Sequence, residues 1–299
     1  MKLSGRRSGI CLFLLPSVLI LAGCATYNDQ VETTREQWKL GAWEKAASAG
    51  KRLTKDKESS RNAVLLGLEE GTLLRATNQI ETSQSVYDET WAKIQEMDQN
   101  ADFRISQASI ALLVNPGLTT YEARTYDRIM LHTYSALNFL LLGDFDSARV
   151  ALNRAYRGQQ DAVEGNAKNI AKMQSAIDEK KTDEDSAVDL SKIENNPVTQ
   201  QKLANLYSET RSMEAYGPYV NPFSVYLDAL YFLNQAADAS DLERGLKSME
   251  RVASLSPDSK WLASEYQIAK EILDGKGQSD AVIVLLETGL SPMRVAEKI

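Results

Sequence analysis

Histidine is almost absent from these 299 residues: there is one, His132, and there are two cysteines, Cys11 and Cys24. That scarcity removes the usual general base, the usual transition-metal donors and any disulfide framework. Carboxylates alone would have to hold a cation. The acidic run "DEKKTDED" (178–185) has neither the oxygen-ligand spacing nor the glycine of a calcium loop. Gly-x-Ser-x-Gly, the P-loop and Gly-x-Gly-x-x-Gly are missing as well. The neighbouring acids Glu69 and Glu70 diverge by about 100° around a helix, which spoils them as an acid/base pair. His132 lies in an apolar helical stretch, "DRIMLHTYSALNFLLLGD" (127–144), where a histidine reads as a core or groove residue and not as a catalyst. The expectation is a non-enzyme: no catalytic residue, no metal, no cofactor and no small-molecule substrate.

Long apolar runs are also lacking. The longest, 10–22, contains Pro16 and falls short of the roughly 20 residues that span hydrocarbon. Lys2, Arg6 and Arg7 precede it with no acid among them, the layout of a secretory signal. It ends in Leu21-Ala22-Gly23-Cys24, which resembles the lipobox of bacterial lipoproteins. The resemblance implies cleavage between Gly23 and Cys24 and attachment of lipid (diacylglycerol, palmitate-type chains) to the Cys24 thiol. Two or three acyl chains, at about 0.8 kcal/mol per buried methylene, anchor a protein permanently. Ala25 follows, not the Asp that retains enteric lipoproteins at the inner membrane, so the outer membrane, periplasmic side, is the expected location. Loss of residues 1–23 removes three basic groups, turning 34 basic against 41 acidic into 31 against 41. A balance that acidic argues against nucleic acid and against electrostatic clinging to anionic lipid.

Aromatics are sparse, at 7%, while Ala and Leu are plentiful, which points to helices. A short phrase recurs: "GAWEKA" (41–46), "NQIETS" (78–83), "GDFDSA" (143–148) and "SDLERG" (240–245). Each opens on a turn-forming or small residue, carries a large apolar residue third (Trp43, Ile80, Phe145, Leu242) and ends on a small sixth. This resembles the turn and second-helix start of tetratricopeptide repeats, where small residues let two helices approach closely. Seven residues upstream, the first helix supplies Gly71 and Ala136 in the second and third copies, but Leu233 in the fourth. Nine residues downstream, Tyr87, Leu152 and Met249 supply the large contact, and Pro257 stands where the repeat has its terminal proline. The copies are 37, 65 and 97 residues apart, so the hairpins are separated by insertions.

Residues 158–196 are polar and read as a projecting helix, with Ala167, Ile170, Met173 and Ile177 at helical intervals, then a mobile acidic loop at 180–189. Further on, "YGPYVNPFSVYLDALYFL" (216–233) starts a helix with Asn221 as cap and Pro222 in the first turn. Its tyrosines read mainly as core, with Tyr216 and Tyr219 at a loop mouth suited to anchoring a partner. After "DGKGQ", the run of Val, Ile and Leu in 280–299 reads as one strand and a turn. A single strand cannot satisfy its backbone alone, so this one pairs with another chain or opens a β-rich part.

Taken in order, "YEARTYDRIMLHTYSALNFLLLGDFDSARVALNRA", "YVNPFSVYLDALYF" and "VIVLLETGLSPMR" resemble a poorly characterised family of bacterial lipoproteins. The resemblance covers 24–299 and implies a tetratricopeptide-like N-terminal half followed by a β-rich C-terminal part, most of which this sequence lacks. The expected organisation is a lipoprotein signal at 1–23, a mainly α domain of stacked helical hairpins at 24–275 with an insertion at 158–196, and the start of a β-rich segment at 276–299. The expected role is a lipid-anchored envelope scaffold that binds a protein partner in a helical groove. First-helix residues Arg128, His132 and Ser135 are its candidate lining, together with Tyr216 and Tyr219. Two alternatives stay open: a subunit of an assembly completed by strand addition, and an activator of a cell-wall enzyme.

Overall fold

The computed structural model describes residues 27–55, 60–99, 120–182, 221–276 and 282–287, with Pro197 and Gln201. Gly23, Cys24, Tyr216 and Tyr219 lie outside the described residues. The described chain is mainly helical: α1 (Tyr27–Lys39), α2 (Trp43–Thr54), α3 (Ala63–Ala76), α4 (Ile80–Gln99), α5 (Thr125–Leu141), α6 (Phe145–Thr182), α7 (Pro222–Asn234), α8 (Ala239–Leu255) and α9 (Lys260–Leu273).

The recurring phrase builds the first three hairpin turns. Gly41, Asn78 and Gly143 stand at φ +68°, +59° and +74°. At Gly143 only a residue free of the Cβ penalty adopts that conformation cheaply, and Asn is the side-chained residue that tolerates it best at 78. In each turn the next residue donates its N–H five residues back, Ala42 to Gln37, Gln79 to Leu74 and Asp144 to Phe139, at 3.0, 2.9 and 2.9 Å. This is the Schellman closure, which satisfies carbonyls orphaned at a helix end. The same residue then begins the next helix, because its own carbonyl accepts from the sixth member of the phrase: Ala46, Ser83 and Ala148, at 2.9, 2.9 and 3.1 Å. All three of those small residues are fully buried.

Their burial follows from how closely the two helices approach. A Cβ on Gly71 would lie 2.3 Å from the Tyr87 ring, and the Ser83 hydroxyl donates to the Gly71 carbonyl at 2.7 Å. In the third hairpin Ala136 and Ala148 meet the same need within one apolar cluster. The fourth hairpin is built differently. Ser240 and Leu242 lie inside α8, not at a turn, because the helix begins at Ala239. Asp238 caps it, accepting from the N–H groups of Ser240 and Asp241 at 2.9 and 3.2 Å. The sixth residue nevertheless keeps its role: a Cβ on Gly245 would meet the backbone nitrogen of Leu233 at 2.9 Å, so the large first-helix residue is offset by a glycine opposite.

Consecutive helices pack on one another throughout, and the first helices α3, α5 and α7 also touch in that order. Buried Val64, Tyr87, Ile94, Met97 and Leu131 join α3, α4 and α5. A second cluster joins α5, α6 and α7 through Leu137, Leu152 and Phe232, and a third joins α7, α8 and α9 through Val225, Met249 and Ala269. Each such large aliphatic or aromatic side chain stabilises by roughly 1.5–3 kcal/mol when fully buried. The junction of α6 with α7 and α8 is ionic as well. Arg149 grips Asp241 with two hydrogen bonds, 2.8 and 2.6 Å, and Arg244 grips Asp228 with two, 3.2 and 2.6 Å. The two guanidinium groups stack on the buried Phe232, 5.0 and 3.9 Å from its ring centre.

Asn221 accepts from the Ser224 N–H at 3.0 Å with Pro222 following, the helix start expected there. Tyr226 and Tyr231 are buried, and the Tyr231 hydroxyl donates to the Phe145 carbonyl at 2.8 Å. The polar stretch after residue 158 is helical to Thr182, continuing α6, a single helix of 38 residues. One expectation changes. The expected C-terminal strand is not formed: no strand occurs among the described residues, and 282–287 carries no regular structure. A strand needs a second backbone to pair with, and what lies beside this segment is helical side chains.

Candidate functional site

Helix α5 packs on two sides. Toward α4 and α6 it closes a cavity of about 210 Å³, whose lining includes Gln84, Trp91, His132, Ser135, Val150 and Arg154. His132 is 4% exposed and meets Trp91 edge to face at 4.4 Å between ring centres. Burial, together with the positive charges of Arg154 and Arg128, pushes its pKa down to about 3. It is therefore neutral at ordinary pH and a weak base, far from the value near 7 that suits general-base catalysis. Ser135 is equally buried on the same side.

Arg128, the third residue nominated on this helix, is engaged elsewhere. Asp98 accepts two hydrogen bonds from its guanidinium, at 2.5 and 2.7 Å, and the Ala123 carbonyl accepts a third at 3.2 Å. That pairing holds its pKa above the ordinary arginine value and ties α5 to α4. Of the three first-helix candidates, then, His132 and Ser135 share one cavity and Arg128 serves the helix junction. All three turn toward second helices. Among the described residues no group of three or more His, Cys, Asp or Glu side chains is placed to hold a metal ion, and no helix is long and apolar enough to cross a membrane.

The opposite face of α5 belongs with α3 and α7, and here the structure brings together residues that sequence reasoning did not single out. Arg75, in the last turn of α3, lies over the Tyr134 ring of α5 at 5.3 Å and forms an ion pair with Glu287. Leu285 packs against both the α5–α7 and the α7–α9 clusters. The segment 282–287 thus lies along first helices, with Leu285 packed against them and Glu287, 38% exposed, paired with Arg75. Val282, Val284 and Leu286 point outward, 92%, 82% and 83% exposed. Burial raises the Tyr134 hydroxyl above the usual phenol range and the Glu287 charge adds to this, while Arg75 opposes it. The signal in the sequence was an apolar run closed by an acid in "VIVLLE" together with a lone arginine at the C-terminal end of an apolar helix, where a cation also suits the helix dipole. Nothing in the sequence linked the two, which are 212 residues apart.

No protein-family model matches this chain. No curated protein matches it either. Among solved structures, the crystal structure of a tetratricopeptide repeat protein from Parabacteroides merdae ATCC 43184, at 2.39 Å, is similar at 12% identity over 83% of this chain and 97% of that one, with a TM-score of 0.22. The architecture described above rests on this chain's own hairpins.

Proposed function

We propose that this chain is a non-enzymatic scaffold of the bacterial envelope, tethered by lipid on Cys24 to the periplasmic side of the outer membrane, that binds an extended segment of a protein partner. The binding surface is the face of α3, α5 and α7. One observation carries this reading: a non-helical segment, 282–287, already lies on that face, held by Leu285 and Glu287. Repeated hairpins suit the task because side-by-side first helices offer one continuous surface to a chain running across them. The tether rests on the basic n-region and on Leu21-Ala22-Gly23-Cys24. A tetratricopeptide-like kinship within a lipoprotein family is consistent with the phrases at 41, 78 and 143.

Crosslinking in cells, followed by identification of what is bound, tests the scaffold: the wild-type chain should capture a discrete partner that the Arg75→Glu chain loses. Capture unchanged by that substitution would remove the first-helix face from the account. For the tether, Cys24→Ser should abolish lipid labelling and leave uncleaved precursor, and normal maturation of that variant would contradict it. A second reading has one observation in its favour, the outward row Val282, Val284 and Leu286, which suits strand addition into an assembly. Size measurement with and without 280–299 decides it, since a monomer in both cases rejects the assembly.

A further inference from the structure

We infer that 282–287 is a built-in occupant of the first-helix face, and that the partner displacing it presents the same two anchors: a large aliphatic side chain and, two residues later, a carboxylate. The inference rests on that face being the partner site. Leu285 packs against the clusters built by α5, α7 and α9, and Glu287 pairs with Arg75 of α3, so two side chains two residues apart engage the first helices together. The acid is specified by charge. The Arg75 side chain is 14% exposed, and Glu287 is the carboxylate with which it pairs among the described residues. Removing that carboxylate without replacement leaves a largely buried guanidinium uncompensated, which a neutral or basic occupant would not relieve. Tyr134 beneath the guanidinium fixes its position by cation–π contact and gives the site a direction.

The same geometry makes the occupant exchangeable. Two of six side chains hold it, Glu287 being itself 38% exposed, and the other four are 47–92% exposed. No backbone group of 282–287 pairs with another described residue. A partner segment that repeats the two anchors and adds contacts of its own therefore outcompetes it, while any segment without the acid does not. The chain as a whole is acidic, with a net charge of −7, so long-range attraction does not favour an acidic partner and Arg75 supplies the selectivity locally.

The test uses the full chain and a fluorescein-labelled synthetic peptide with the sequence of 282–287 between solubilising Gly-Ser flanks, read by fluorescence anisotropy. Weakening the internal occupant with Leu285→Ala and Glu287→Ala should tighten peptide binding by about tenfold, the reduction expected when a site is free only a tenth of the time. Adding Arg75→Glu should abolish that gain, and a peptide carrying Lys at the glutamate position should then bind the Arg75→Glu chain in its place. This charge reversal keeps the test decisive even if a single variant is poorly folded. Equal binding by wild type and double variant, or indifference to charge at Arg75, would overturn the inference. Sedimentation of the wild-type chain should give a monomer. A concentration-dependent dimer broken by Arg75→Glu would mean that the occupant comes from a second copy, and would overturn it too. The reading on which the inference rests fails separately: if the double variant binds peptide tightly while no partner is captured in cells, self-occupancy stands and the partner falls. Equal capture by wild type and double variant would leave the partner and remove the self-occupancy.

Discussion

The seam between α5 and its second-helix neighbours and the seam between 282–287 and the first helices meet on the same helix, yet they are held by opposite means. On one side Ala136 and Ala148 are fully buried, Asn138 donates to the Ser83 hydroxyl at 3.0 Å, and a neutral His132 is enclosed against Trp91. On the other side an ion pair, a cation–π contact and a single leucine hold a segment whose outer row faces solvent. The first arrangement is costly to open and cheap to keep. The second has few contacts and, among the described residues, no backbone pairing, which is what a surface that changes partners requires. The difference teaches where to look for function: not in the tightly packed seam with its single histidine, but on the sparsely held face.

The contrast can be broken first where it is strongest. Asp228 is nearly fully buried beneath Arg244, with the Ser248 hydroxyl also donating to it at 2.8 Å. Asp228→Ala should lower unfolding free energy by about 3–5 kcal/mol, because it strands a guanidinium in the packed seam; urea denaturation measures this. Gly71→Ala comes next. The new Cβ would sit 2.3 Å from a ring that is 1% exposed and has no room to withdraw, so a loss of about 1–3 kcal/mol should outweigh the helix-propensity gain.

His132 provides a pH signature of the enclosed side. Its pKa is depressed to about 3 in the folded chain, whereas the unfolded chain takes up a proton below the ordinary histidine value near 6.5. Unfolding therefore gains protons as pH falls through that window, and this site should lose stability at up to about 1.4 kcal/mol per pH unit. The slope should shrink in His132→Gln, measured by urea denaturation at three pH values between 6.5 and 4. The smallest effect sharpens the contrast from the other side. Arg75→Ala should change global stability by less than about 1 kcal/mol, since the pair is partly open to solvent. Proteolytic cleavage within 282–287 should nevertheless quicken sharply while α5 stays resistant. A global loss as large as that of Asp228→Ala would mean that the two seams are alike.

Parts of this organisation were legible in the sequence because they demand particular residues. A Schellman turn that becomes the next helix's cap needs Gly or Asn first and a small residue sixth, and those positions marked the first three hairpins. The fourth phrase was half legible. Gly245 announced the close approach to Leu233, but the turn had moved upstream to Asp238, where an acidic cap replaces a left-handed residue. The helical continuation of α6 was legible in Ala167, Ile170, Met173 and Ile177, spaced at helical intervals, although Gly158 and Gly165 lie within it. Helical periodicity put Arg128, His132 and Ser135 near one another without saying which neighbour they would face. The apolar run "VIVLLE" misled, since its contacts come from helices distant in the chain and not from a second strand.

The central claim is that partners bind where α3, α5 and α7 lie side by side. A photoreactive amino acid at Tyr134 samples that face, and the same residue at Val150, 49% exposed on α6 beside the His132 cavity, samples the other. Irradiation of living cells should yield a discrete protein adduct from position 134 and none from 150. Adducts from 150 alone, or equal adducts from both, would contradict the account.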